Sequence, residues 1–85
     1  MTVIFSTLAR KIFLKLDKPT QEQIQTFVLK LQDAQNPRLT GKALVGDFTG
    51  LWCYQVGDHK LICVIEDNKI FVTMLHIGHR KDADN

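Results

Sequence analysis

No stretch of this 85-residue chain approaches the roughly 18–20 consecutive apolar residues that a membrane-spanning helix needs. Cysteine is scarce as well. Cys53 and Cys63 are the only two, and they form no Cys-x-x-Cys motif. Two cysteines alone make no metal site and argue against a disulfide framework, so a reducing cytoplasm is the expected compartment. Neither sign of charge dominates: 11 Lys and Arg stand against 9 Asp and Glu, a formal net charge of +2. That figure leans only slightly towards a nucleic-acid partner. The first residues alternate and then charge up at Arg10, Lys11 and Lys15, unlike a secretory signal. Internal repeats, low-complexity tracts and linkers are missing too.

What remains is the balance of an ordinary globular domain, 45% hydrophobic and 24% charged. One domain spanning residues 1–85 is expected. A domain of this size has a thin core and encloses no deep pocket. Its chemistry is therefore expected on an open face, against a large partner such as a protein or a nucleic acid.

The β-rich Thr2-Val3-Ile4-Phe5 predicts a first strand. Ser6 is placed to cap a helix in which Leu8, Ile12 and Leu16 share a face. Asp17-Lys18-Pro19 breaks it. A second helix is expected from about Pro19-Thr20 to Ala34, with Thr20 and Gln23 at capping-box spacing and Ile24, Phe27, Val28 and Leu31 as its apolar stripe. Residues 36–50, punctuated by Asn36-Pro37, Gly41, Gly46 and Gly50, read as loop. Three strands follow: Leu51–Val56, Lys60–Ile65 and Ile70–Ile77, joined by turns at Gly57-Asp58 and Glu66–Lys69. The expected fold class is α+β, in the order β-α-α-β-β-β, with two helices covering one face of a twisted, mainly antiparallel sheet.

Alternation puts Cys53 and Gln55 opposite Trp52, Tyr54 and Val56, and Lys60, Ile62 and Val64 opposite Leu61, Cys63 and Ile65. Near the end of the last strand come His76 and then Gly78-His79-Arg80-Lys81. Two cations and an imidazole at a strand exit suit a phosphodiester, whose crowded transition state positive charge stabilises. A solvated basic terminus is the plainer reading of the same residues. No Gly-rich phosphate loop, acidic pair or helical His pair is present, and both cysteines read as small, partly buried residues.

The series Asn36-Pro37-Arg38, Gly41-Lys42-Ala43-Leu44, Gly46, Gly50-Leu51-Trp52, Tyr54, Val56-Gly57-Asp58, Leu61-Ile62 and Gly78-His79-Arg80 resembles the RelE/ParE superfamily of bacterial toxins, on the RelE side. The likeness runs over nearly the whole chain. It implies a RelE-like fold and a toxin held inactive by a cognate antitoxin in a hetero-oligomer. It also implies cleavage of mRNA in the ribosomal A site, by attack of a ribose 2′-hydroxyl on its neighbouring phosphate. By the same likeness no metal or other cofactor takes part, the partners are antitoxin, ribosome and mRNA, and no membrane is involved. The antitoxin is expected to dock as a helix in a groove of the helix–sheet body.

Carried over by position, the resemblance makes Lys60, Arg80 and Asp84 the catalytic positions. Lys60 stands where the family has an arginine, keeping charge without the bidentate fork. Asp84 stands where the family has a tyrosine, and a carboxylate there repels phosphate and donates nothing. Lys42, Cys53, Gln55, His79 and Lys81 make the expected RNA-binding set, although Cys53 and Gln55 occupy positions that are commonly basic. Attenuated cleavage is the expectation. The alternatives are a ParE-like inhibitor of DNA gyrase and an antitoxin-binding module without catalytic activity.

Overall fold

The computed structural model describes residues 1–66 and 71–79. Strand β1 (Thr2–Phe5) leads into helices α1 (Thr7–Lys15) and α2 (Lys18–Asp33). A short strand β2 (Lys42–Ala43) and a 3-10 turn (Gly46–Phe48) follow, then β3 (Trp52–Val56), β4 (His59–Glu66) and β5 (Phe71–His79). The strands form one sheet in the order β1-β5-β4-β3-β2. β1 runs parallel to β5, and every other pairing is antiparallel.

Both helices lie on one face. Ala9, Ile24 and Leu31 from the helices close over Tyr54, Leu61, Cys63, Val72, Met74 and Ile77 from the sheet. The expected α+β class and its helix-covered sheet are what the structure has. The extra element is β2, within the stretch read as loop. Its two residues pair with Cys53 and Trp52 and cover the outer edge of β3. Two residues carry no periodicity, so composition could not reveal them.

Ser6 ends β1 and starts α1. Its Oγ accepts from the Ala9 amide at 3.0 Å, the expected cap, and donates to the Leu75 carbonyl at 2.9 Å. Its own amide donates to the Met74 carbonyl at 2.8 Å. The capping box expected at Thr20 and Gln23 does not form. Asp17 is the N-cap residue, without a side-chain bond, and Pro19 lies inside the first turn. Proline lacks an N–H, and the first turn leaves those donors unpaired anyway, so the helix starts ahead of Pro19. Gln21 uses its position differently: Nε2 donates to the Phe13 carbonyl at 2.9 Å, closing the end of α1.

A candidate nucleic-acid interface on the uncovered sheet face

Cross-strand register defines what shares the face away from the helices. Lys42 pairs with Cys53, Cys53 with Ile62, and Ile62 with His76, forming one row across four strands. The next row is Gln55, Lys60 and Gly78. The pleat sends all of these to one side, because Trp52, Tyr54, Leu61 and Ile77 pack towards the helices.

The last part of β5 reaches this face through an irregularity. Ile62 pairs with His76 but Cys63 pairs with Met74, so Leu75 is an extra residue, a β-bulge. Strict alternation from the buried Met74 would turn His76 towards the core. The bulge reverses the phase: Ile77 becomes buried and His76 is exposed on the open side. Ser6 holds the bulge in place from the N-cap of α1, through the carbonyls of Met74 and Leu75.

Cys53 lies at the centre of the face and is 3% exposed. Burial pushes its thiol up, while the Lys60 and Lys42 ammonium groups pull the other way. Both lysines are thus within electrostatic reach of one sulfur, although they come from different strands. The other cysteine, Cys63, lies on the helix side, where burial pushes its thiol up to about 12. The strands hold the two thiols on opposite faces.

The connection carrying Lys42 is anchored by aromatic residues. The Tyr54 hydroxyl donates to the Pro37 carbonyl, and Trp52 Nε1 donates to the Thr40 carbonyl at 2.9 Å. The Arg38 guanidinium lies 5.9 Å from the centroid of the Trp52 ring. Gly41 has φ +81°, and a Cβ there would stand 2.6 Å from the Cys53 carbonyl oxygen. Only glycine lets the chain pass this close to β3 before Lys42 pairs with it.

Of the residues expected from sequence, Lys42, Cys53, Gln55 and Lys60 share this face. His79 does not join them. It projects to the helix side, paired with His59, their rings edge-on at 5.3 Å between centroids. Arg80, Lys81 and Asp84 lie outside the described residues, as does the turn expected at 66–69 beyond Glu66. His76, noted with the polar residues at the strand end, was not in the expected RNA-binding or catalytic set. The apolar phase slips from Val72 and Met74 to Leu75 and Ile77, and that slip is the signal of the bulge. Among the described residues, no three His, Cys, Asp or Glu side chains gather as a metal site. None of the described helices is long and apolar enough to cross a membrane.

On the covered side, a groove of about 750 Å³ runs between the two helices and the edge strand β1, lined by Val3, Ile4, Phe5, Phe13, Leu14 and Leu29 among others. Leu14 and Leu29 are largely exposed there, and Ile4 is partly so.

Among curated proteins nothing matches the chain. Solved structures do. The toxin–antitoxin complex RelBE2 from Mycobacterium tuberculosis contains a chain 29% identical, with a TM-score of 0.83, covering 93% of this chain and 96% of its own. An archaeal RelE–RelB complex from Pyrococcus horikoshii matches at 20% identity and TM-score 0.75, over 96% of this chain and 97% of that one. A YoeB/ParE toxin from Agrobacterium tumefaciens matches at 13% and 0.72, over 93% and 98%. The last two are likenesses of fold. A family model described as the ParE toxin of the type II toxin–antitoxin system parDE matches residues 3–84, and the chain therefore belongs to that toxin family, within the RelE/ParE superfamily.

Proposed function

We propose that this toxin is an mRNA endoribonuclease that works on ribosome-bound message. In this reading a 2′-hydroxyl attacks the adjacent phosphate, without a metal, and the products are a 2′,3′-cyclic phosphate and a 5′-hydroxyl. The observation that carries the reading is the convergence of Lys42 and Lys60 on Cys53, on the sheet face that the helices leave uncovered. Two ammonium groups brought near one another on an open surface suit a phosphodiester held by a larger body. In this reading cleavage is attenuated. Cys53 and Gln55 are uncharged where the family resemblance expects cations, and each missing donor or cation costs about 10²–10³ in rate. By the family resemblance, Arg80 and Lys81 would add positive charge towards the RNA and Asp84 a carboxylate that repels it.

The proposed physiological partner is an antitoxin. Its helix would occupy the apolar groove between α1, α2 and β1, burying Ile4, Leu14 and Leu29. A gyrase-directed activity is the second reading, favoured by the ParE description of the matching family model. Primer extension on ribosome-bound mRNA, run beside a gyrase supercoiling assay, separates the two. Cuts in the message with supercoiling intact support the RNA reading. Intact message with blocked supercoiling supports the other.

A further inference from the structure

We infer that His76 is the proton acceptor of this site, the residue that takes the 2′-hydroxyl proton during RNA cleavage. The inference rests on the RNA-cleaving reading and names a residue within the same face. A 2′-hydroxyl becomes an effective nucleophile when its proton has somewhere to go. Among the described residues near Lys60 on this face, few can receive it. The ammonium groups of Lys42 and Lys60 carry donors and no acceptor, and the Gln55 amide is no base. The Cys53 thiol is covered and held protonated by burial. Glu66 points to the same side of β4, but six residues along the strand from Lys60, about 20 Å away.

His76 is different in each respect. It is exposed, it sits opposite Ile62 in the row that also holds Cys53 and Lys42, and it is the diagonal neighbour of Lys60. Such diagonal positions lie about 7–8 Å apart, a span that long side chains bridge around one ribose–phosphate unit. Gly78, directly opposite Lys60, adds no side chain between them. Among the described residues, the charged and titratable groups in or beside the row of His76 on this face are Lys60 from β4, Cys53 from β3 and Lys42 from β2, while β1 ends at Phe5, paired with Met74, before reaching that row. Imidazole is the side chain that ordinarily exchanges protons near neutrality. In the step, the 2′-O–H bond breaks and its proton passes to the imidazole as the 2′-O–P bond forms. The P–O5′ bond breaks, the 5′-oxygen takes a proton from water, and the imidazolium then returns its proton to solvent.

The test is single-turnover cleavage of ribosome-bound mRNA across pH 5.5 to 8.5, a range of roughly three units around the imidazole transition. The wild-type toxin should speed up as pH rises through that transition and then level off. His76→Ala should cut about 10²–10³-fold more slowly, with the pH step gone, and added imidazole should restore part of the rate. His59→Gln, on the helix side of the sheet, should keep both rate and profile. Because His76 is exposed, a thermal melt of His76→Ala should match wild type. Wild-type cleavage with an unchanged rate and pH profile in His76→Ala overturns the inference and leaves the RNA reading standing. No wild-type cleavage removes both.

Discussion

The two faces of one sheet carry opposite kinds of information. Consecutive residues make the contrast: Leu61 is fully buried against the helices, while Lys60 points to the open side. The helix side is held by apolar contact and tolerates polar atoms only with partners, as when the Tyr54 hydroxyl reaches the Pro37 carbonyl. The open side brings side chains from four strands into two short rows, and none of them belongs to the cluster packed under the helices. Stability and chemistry are therefore separable by strand parity, and substitutions one residue apart should fail in different ways.

The largest effect is expected on the covered side. Leu61→Ala should cost about 2–5 kcal/mol, read by chemical denaturation. For a domain of this size that is a large share of total stability, so function should fall with it. At the junction of the faces, Gly41→Ala combines a left-handed backbone with a Cβ driven against the Cys53 carbonyl, and should cost about 1–3 kcal/mol. It should also loosen β2 and with it Lys42. Ser6→Ala removes the cap of α1 and the bond to the bulge carbonyl together. A loss of about 0.5–2 kcal/mol is expected in a thermal melt, and amide exchange in β5 should speed up near Leu75.

A pH titration sharpens the comparison from the alkaline side. Burial holds the Cys63 thiol and the Tyr54 hydroxyl each at about 12. A group whose folded value is raised contributes stability below its unfolded value and loses it as pH climbs through the folded one. Denaturation midpoints should stay level up to about pH 9 and fall between about 9 and 12. A midpoint that rose over that interval would contradict the burial of both groups. For the same reason both thiols should resist labelling at pH 8 until the protein unfolds.

Much of this was legible in the residues. The stripe of Ile24, Phe27, Val28 and Leu31 announced α2, and alternation sorted β3 and β4 correctly because each keeps strict period two. The order of weak motifs pointed to the toxin superfamily that the family match then showed. The failures have local causes. Thr20 and Gln23 have capping-box spacing, but Pro19 is accepted inside the first turn, which moves the cap to Asp17. β2 is too short to carry a pattern and exists through its partner. His79 was grouped with the cations by adjacency, whereas the bulge at Leu75 turns it towards His59. The same bulge delivers His76. It depends on Ser6, 69 residues earlier in the chain, and no local pattern records such a contact.

The central claim is that the uncovered face cuts RNA while the covered face takes no part in the cut. Its most direct test is primer extension on ribosome-bound mRNA with wild-type toxin and Lys60→Ala side by side, each also followed through a thermal melt. Wild-type toxin should cut the message. Lys60→Ala should cut it about 10²–10³-fold more slowly while its melt stays within about 0.5 kcal/mol of wild type. Equal cutting by the two proteins, or no cutting by a folded wild type, would contradict the account.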